Sequence, residues 1–303
     1  MTRSDKVAII TGASRGIGKA CALALAERGF DVTLCARTTK PGECFEHSLT
    51  LQASDMSPLP GSLDETAASI RDRGRRALEV EFDLNVPSDV ARVVDSTIDE
   101  FGRIDVLVNS AVYTAPGVMD PFLDTPIEIF ERMMRCNVLS PLELCQRAAK
   151  VMVDQGGGRI LNITAMGAWE ETPLPVGQGG WGLGFSVSKA AFHRATAGLA
   201  KELRDHNIAV VNIEPGLTAT ERYVNEYAKF NIQGMGAVPL AAPAETVASL
   251  ATCASPLYWS GKTVMAFEYA VEHELVAAGT LPGGYGPHGW GVPQFKAWPE
   301  PAP

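Results

Sequence analysis

The chain has 303 residues, of which 46% are hydrophobic and 20% charged, and a mean hydropathy of +0.03, which excludes a disordered or fibrous protein. Its net charge of −9 offers no basic field to a phosphate backbone, so we expect no nucleic-acid partner. No stretch approaches the ~20 apolar residues of a membrane span, and the first apolar stretch, VAIITG, is too short for a signal peptide. We therefore expect a soluble protein with no membrane partner. The six cysteines are scattered with no CxxC pair, which favours a cytoplasmic protein with reduced thiols.

Apolar runs of strand length alternate with segments of helical period. The runs KVAIITG, DVTLCAR, RALEVEFDL, DVLVNSA, RILNIT and AVVNIEPG predict strands. Segments such as GIGKACALALAERG and DVARVVDSTIDEFG predict helices, and further helices are expected near residues 130–154 and 186–204. Continuous apolar strands separated by helices are typical of a parallel sheet covered on both faces. The pattern predicts an α/β fold with a doubly wound parallel sheet, the Rossmann fold, and helices on both faces.

We expect a single domain, residues 1–303, with several irregular segments. Residues 38–60 are polar and Pro-rich, which predicts a surface insertion after the second strand. Residues 169–184 form a glycine-rich segment between a strand and a helix. The tail, residues 279–303, is rich in Gly, Pro and Trp and either wraps a neighbouring surface or frays.

A glycine-rich turn follows the first predicted strand and opens directly into a helix. Its sequence is TGASRGIG, from Thr11 to Gly18. Glycines let the backbone approach a pyrophosphate, and the free N–H groups at the start of the helix receive its charge. The order of strand, glycines and helix predicts a dinucleotide site, with a glycine turn that binds nothing as the alternative. The candidate contacts are Gly12, Ser14, Arg15, Gly16, Ile17 and Gly18.

The end of the second strand indicates which dinucleotide is bound. Sites that prefer NAD usually have an acidic side chain here for the ribose hydroxyl, whereas this strand ends in Ala36-Arg37. Arg37 is expected to pair with a 2′-phosphate, and Arg15 to reach the same group from the glycine turn. Either arginine alone is as readily a solvated surface charge. Two of them at the adenosine pocket favour NADP(H) over NAD(H).

Together, the motifs resemble the short-chain dehydrogenase/reductase family of the single-domain Rossmann type. They are TGASRGIG, Asp83-Leu84, NSAV from Asn109, Asn137 in RCNVLSP, Lys189 in FSVSKAA, and Pro215-Gly216 with Thr220 in EPGLTAT. The resemblance implies that Asp83 and Leu84 flank adenine and that Asn109, Ser110 and Ala111 line the cofactor groove. It further implies that Pro215, Gly216, Leu217, Thr218 and Thr220 hold the nicotinamide end, that Lys189 binds the nicotinamide ribose, and that the chain forms a homodimer or homotetramer.

Residues 217–236 look like the family's mobile lid over a small-molecule substrate. The segment contains Arg222, Tyr223, Tyr227 and Phe230, a mixture of aromatic and polar side chains typical of a binding loop. A surface amphipathic helix is the alternative.

The family's catalytic set is an Asn, a Ser, a Tyr and a Lys, and two of these four residues are replaced here. Asn137 and Lys189 are present, but the spacing to the lysine assigns the tyrosine position to Phe185. The strand ending in NI(S/T) assigns the serine position to Ala165, unless a one-residue slip makes Thr164 the donor. Losing the acid costs about 100- to 10,000-fold in rate, and losing an oxyanion donor about 100- to 1,000-fold.

Three interpretations remain open. The first is an NADP(H)-dependent oxidoreductase acting on a small apolar alcohol or carbonyl compound, with Lys189, a water or a non-standard group as proton donor. The second is an NADP(H)-binding protein without ordinary carbonyl reductase activity, such as an isomerase, a dehydratase or a cofactor-sensing partner. The third is an engineered inactive form of a reductase. Candidate substitute donors, each with an ordinary structural interpretation beside it, are Tyr113, Glu170, Glu171, Ser186, Ser188 and His193.

Overall fold

The computed structural model describes residues 6–170, 174–178, 180–222 and 238–277. Its strands are β1 Val7–Thr11, β2 Asp31–Ala36, β3 Ala77–Glu81, β4 Val106–Asn109, β5 Gly158–Ile163, β6 Ile208–Glu214 and β7 Thr263–Met265. They form one seven-stranded sheet in the order β3-β2-β1-β4-β5-β6-β7, and all its pairs are parallel. The predicted doubly wound parallel sheet is confirmed.

The helices cover both faces of this sheet. They are α1 Gly16–Glu27, α2 Leu63–Asp72, α3 Pro87–Phe101, α4 Ile127–Met134, α5 Ser140–Asp154, α6 Leu183–Glu202, α7 Ala241–Thr252, α8 Pro256–Trp259 and α9 Ala266–Glu272. The helix expected near residues 130–154 is two helices, α4 and α5, joined by a π-helical turn at Arg135–Leu139. Such turns are frequent at functional sites, and this one contains Asn137. The helix expected from Ser186 begins three residues earlier, at Leu183.

Alternate strand residues fill two separate cores. Ile10 of β1 packs with side chains of α1 and α7 on one face of the sheet. Its neighbour Ile9 packs with side chains of α3, α5 and α6 on the other face. This explains why the strands are continuous apolar runs, since each of their faces is buried. The strand order reverses beside β1, between β2 and β4, which opens a crevice at the C-terminal ends of the strands.

The insertion, residues 38–60, contains no helix or strand, but it is not wholly a surface loop as expected. His47, Ser48 and Leu49 are buried, and Leu49 belongs to a small core that includes Met119. The Met119 amide donates to the Leu49 carbonyl oxygen over 2.9 Å. The polar composition reflects hydrogen bonding within the loop, which does not prevent its middle from packing on the domain.

Two predicted segments lie largely beyond the described ranges, and a third lies partly beyond them. The tail, residues 279–303, is outside them, as are residues 223–236 of the predicted lid and residues 171–173 and 179 of the glycine-rich segment.

All six cysteines are described, and each is a free thiol. Within the described ranges, no helix is both long enough and apolar enough to cross a bilayer.

Candidate active site

A cavity of about 660 Å³ runs along the C-terminal edge of the sheet. Its size is that of a small-molecule or cofactor site. Of the residues predicted from the sequence, it is lined by Gly12, Ser14, Arg15, Gly16, Ile17, Gly18, Arg37, Asp83, Leu84, Ser110, Ala111, Ala165, Phe185, Lys189, Pro215, Gly216, Leu217, Thr218 and Thr220. The fold therefore brings nearly all the predicted contacts to one surface.

The glycine turn after β1 accepts only glycine at two positions. Gly12 has a φ of +72°, and a Cβ atom there would lie 3.1 Å from the backbone of Ala111. A Cβ on Gly18 would lie 2.2 Å from the Gly12 carbonyl oxygen, a separation that real atoms do not adopt. The turn thus packs directly on the segment after β4 and leaves the first turn of α1 facing the cavity. This is the shape that a pyrophosphate requires.

A carboxylate already interacts with the start of α1. The Gly16 amide donates to Glu221 Oε2 over 3.1 Å. Because the N-terminus of a helix attracts negative charge, Glu221 occupies a position where an anionic group is favoured. Glu221 also lines the cavity, although no sequence motif singles it out.

The two arginines at the adenosine end have different surroundings. Arg37 is exposed, lines the cavity, and lies with its guanidinium 5.1 Å from the centroid of the Phe45 ring. Arg15 instead fastens the end of the insertion, since its Nε donates to the Pro60 carbonyl oxygen over 2.8 Å and its NH2 group to that of Gly61 over 2.9 Å. The Arg15 guanidinium is thus bonded to the insertion while it also lines the cavity, and its pairing with a 2′-phosphate stays a prediction.

At the opposite end of the cavity, Lys189 lies beside Phe185. The Lys189 ammonium donates to the Ile163 carbonyl oxygen over 3.0 Å, and its Nζ atom is 6.0 Å from the centroid of the Phe185 ring. Burial lowers the pKa of Lys189 to about 8, because desolvation disfavours the charged form. The Phe185 ring also stacks on Trp181, with centroids 5.9 Å apart and planes 30° from parallel.

The predicted serine position lies just beyond β5. Ala165 lines the cavity and precedes a short 3₁₀ turn, Met166–Ala168. Thr164 also lines the cavity, but its hydroxyl is hydrogen-bonded to Nδ1 of His193 over 3.0 Å. The only hydroxyl that a one-residue slip offers is therefore engaged by α6.

Comparison with known proteins agrees with this geometry. The sequence profile of the short chain dehydrogenase family matches residues 6–60 and 56–229. The chain belongs to the short-chain dehydrogenase/reductase family. It is similar to YohF, an uncharacterised oxidoreductase of Escherichia coli K12, with 35% identity over 218 residues that cover 71% of this chain and 74% of the relative.

Two further relatives cover more of the chain. A 3-oxoacyl-[acyl-carrier-protein] reductase of Synechocystis is 32% identical over 262 residues, 85% of this chain and 94% of the relative. The crystal structure of a short-chain type dehydrogenase/reductase from Mycobacterium marinum superposes with a TM-score of 0.72 at 29% identity, and covers 89% of this chain and 97% of that one. This short-chain dehydrogenase/reductase is thus an oxidoreductase of a family that binds NAD(P)(H) and acts on small molecules.

Two predicted site residues of this short-chain dehydrogenase/reductase do not line the cavity. Asn109 donates to the Asn162 side chain over 2.9 Å and links β4 to β5. Asn137 accepts from the Tyr113 amide over 2.7 Å and donates to Ser188 Oγ over 2.9 Å, which ties the π-helical turn to α6. Both amides are buried and support the cavity from behind its wall.

Three of the substitute proton donors have hydrogen bonds of their own, although Tyr113 also lines the cavity. The Tyr113 hydroxyl donates to the Pro116 carbonyl oxygen over 3.0 Å, and Ser188 Oγ donates to that of Phe185 over 2.9 Å. His193 lies between the hydroxyls of Thr164 and Thr263, at 3.0 and 3.4 Å. These bonds match the ordinary structural interpretation of each residue. Ser186 and Glu170 are outside the cavity lining, and Glu171 lies outside the described residues.

A buried carboxyl group that we did not predict lines the same end of the cavity. Glu214, the last residue of β6, is 5% exposed. Its carboxylate accepts hydrogen bonds from the Gly216 amide over 2.8 Å and from the Met166 amide. Burial, together with the nearby charge of Glu268, raises the pKa of Glu214 to about 7. The signal was present in the sequence, as an acid that ends a strand whose other residues, apart from Asn212, are apolar.

The start of the predicted lid is tied down. Arg222 donates to Thr114 Oγ1 and to the carbonyl oxygen of His47. It thereby links the insertion to the segment after β4, and all three residues line the cavity. Across the described part of the chain, no cluster of His, Cys, Asp and Glu has the composition of a metal site.

Proposed function

We propose that this protein is an NADP(H)-dependent oxidoreductase that acts on a small apolar alcohol or carbonyl compound with a non-standard proton donor. One observation carries the proposal: the cavity has the glycine turn, Lys189 and the Pro-Gly turn of its family, while Phe185 and Ala165 stand where the hydroxyls are expected. The nicotinamide dinucleotide, when bound, supplies or accepts the hydride.

The residues of the cavity fit such a cofactor. The glycine turn and the amides of α1 would hold the pyrophosphate, Asp83 and Leu84 the adenine, and Lys189 the nicotinamide ribose. Residues 215–220 would hold the nicotinamide end. The preference for NADP(H) over NAD(H) rests on Arg37, because no acidic residue ends β2 and Arg15 is engaged by the insertion.

Lys189 is the group best suited to move a proton in this site. Its ammonium lies in the wall of the cavity, and within the described ranges its one hydrogen bond, to the Ile163 carbonyl oxygen, uses one of its three protons. With a pKa of about 8, it holds a proton at neutral pH and releases it more readily than an exposed lysine does. We propose that it protonates the product oxygen, directly or through a water.

Assembly and location are part of the proposal. We expect a cytoplasmic homodimer or homotetramer. Val153 and Leu139, apolar side chains that α5 and the π-helical turn leave exposed, support the assembly. Light scattering coupled to size exclusion would measure the assembly directly.

The function is tested by following NADPH absorbance with a panel of ketones, aldehydes and quinones, at enzyme concentrations above that of NADPH. We expect NADPH to bind and to be oxidised slowly. Binding without oxidation across the panel, by this protein and by its A165S/F185Y variant alike, would contradict the proposal and leave a protein that only binds the cofactor.

A further inference from the structure

We propose that the hydride acceptor this site prefers is a cationic iminium group, C=N⁺, carried by a small apolar ring compound, and that the reverse reaction oxidises the corresponding amine. This inference rests on the proposed function, because it needs a nicotinamide hydride. It differs from that function in the reacting bond, which is C=N⁺ in place of C=O.

Hydride transfer to a carbonyl group and hydride transfer to an iminium group differ in whether a proton is needed. When a carbonyl carbon gains a hydride, the C=O π pair becomes an alkoxide charge that must be stabilised and protonated. When an iminium carbon gains a hydride from NAD(P)H, the C=N π pair becomes the lone pair of a neutral amine, and the cofactor leaves oxidised. No proton enters this reaction. Phenylalanine and alanine at positions 185 and 165 therefore do not slow the reduction of an iminium substrate, which needs no acid. The rate of ketone reduction, in contrast, falls by about 100-fold or more.

Three hydroxyls of this region, those of Tyr113, Ser188 and Thr164, do not offer a replacement oxyanion site. Those of Tyr113 and Ser188 donate to backbone carbonyl oxygens over 3.0 and 2.9 Å. That of Thr164 is paired with His193 over 3.0 Å. Of these three residues and Lys189, only Lys189 is left to stabilise a developing negative charge on oxygen.

The same end of the cavity has features that attract a cation. Trp181 and Phe185 form a stacked aromatic pair in its wall, with centroids 5.9 Å apart, and aromatic faces bind organic cations. Glu214 adds a buried carboxyl group to the same lining. Its hydrogen bonds come from two backbone amides, and it has no ion pair with any described side chain. A cationic substrate would supply the missing counter-charge.

Lys189 opposes a cation, and its titration tells the two substrate classes apart. As the pH rises from 6 to 9, Lys189 loses its positive charge and Glu214 gains a negative charge. Glu268 of α9 is a further charged group near Glu214. Both changes favour a cationic substrate. A carbonyl substrate that takes its proton from Lys189 has the opposite dependence, since its rate falls as Lys189 deprotonates.

The test compares N-methyl-3,4-dihydroisoquinolinium, a permanent cation, with 1-tetralone, a neutral ketone of similar size, as oxidants of NADPH. We expect kcat/KM to be at least about 100-fold higher for the iminium and to rise with pH. The A165S/F185Y variant should raise the rate with the ketone by about 100-fold or more and change the rate with the iminium by less than about 3-fold. Equal or faster reduction of the ketone by the parent protein would overturn the inference.

A binding measurement that needs no turnover completes the design. Calorimetry with N,N-dimethyl-1,2,3,4-tetrahydroisoquinolinium, which cannot be reduced, should give a Kd about 10-fold or more below that of 1-tetralone. Glu214→Gln and Phe185→Leu should each remove most of this difference. Glu170→Gln, a carboxyl group outside the cavity lining, serves as the matched control and should leave cation binding unchanged.

The outcomes separate the two levels of inference. Oxidation of NADPH by the ketone but not by the iminium keeps the proposed function and overturns the iminium proposal. Oxidation by neither compound nor by the wider panel, with NADPH bound, overturns both. Cation binding that is insensitive to Glu214→Gln and Phe185→Leu contradicts the site assigned here.

Discussion

Lys189 and Phe185 lie one helical turn apart on α6, with the ammonium nitrogen 6.0 Å from the centroid of the ring. The lysine thus faces an apolar ring where a phenol would have accepted its hydrogen bond, and it turns instead to the Ile163 carbonyl oxygen. Burying a cation whose hydrogen-bond partner is a neutral carbonyl lowers the free energy of unfolding. The group proposed to move the proton therefore also affects the stability of the protein.

Lys189→Met should stabilise the protein. The pKa of Lys189 is about 8 in the folded state and near 10.5 when exposed, so the unfolded chain binds more protons between these values and stability rises with pH across them. Below pH 8 the full penalty is present. We expect the substitution to raise the free energy of unfolding at pH 7 by about 1 kcal/mol, after the lost hydrogen bond is subtracted. Urea melts at pH 7 and pH 10 measure this, and an equal effect at both pH values would argue against it.

Arg37→Ala should weaken NADPH binding by about 10- to 100-fold, because a charge-assisted hydrogen bond to the 2′-phosphate is lost. The Kd of NADH should change by less than about 3-fold, since NADH has no such phosphate. Fluorescence titration with both cofactors gives the ratio. Arg71→Ala, an exposed arginine that pairs with Glu79, is the control. An equal loss of affinity for NADPH and NADH would show that Arg37 does not bind the 2′-phosphate.

Glu221→Gln should tighten dinucleotide binding. The Glu221 carboxylate accepts from the Gly16 amide at the start of α1, so its charge competes with a pyrophosphate for the same position. We expect the Kd of NADPH to fall by about 2- to 5-fold. Weaker binding in the variant would mean that Glu221 assists the cofactor, for instance by holding the start of the lid.

Gly18→Ala should abolish cofactor binding, because its Cβ would lie 2.2 Å from the Gly12 carbonyl oxygen and must displace the turn. Gly198→Ala is the matched control, since it also adds a Cβ to a helical glycine but meets no atom within 4 Å. We expect the control to bind NADPH normally and to melt slightly higher, because alanine favours helix. NADPH binding by Gly18→Ala at the parent Kd would refute the assignment of the turn.

Much of this architecture was predictable because it depends on local patterns. Continuous apolar strands indicate a sheet buried on both faces. The motif TGASRGIG predicts a tight turn, because only glycine fits at Gly12 and Gly18. The position of Phe185 relative to Lys189 follows from one turn of helix.

Long-range contacts were not predictable in the same way. The bonds of Arg15 to residues 59–61 were not predicted, because nothing local shows that these residues return to it. Leu49 looked like part of a surface loop for the same reason, as its partners lie about seventy residues or more further along the chain. The order of the motifs assigns Asn137 to the family's Asn position, but its role in tying Tyr113 to Ser188 depends on the packing of two helices.

The central claim is that this cavity is a hydride-transfer site without its hydroxyl proton donors. The most direct measurement is NADPH oxidation with 1-tetralone by the parent protein and by A165S/F185Y, side by side, with melting temperature and NADPH Kd matched. We predict that the double variant reduces the ketone at least about 100-fold faster than the parent. Equal rates, with both proteins folded and loaded, would contradict the claim and show that positions 165 and 185 are not where the proton is delivered.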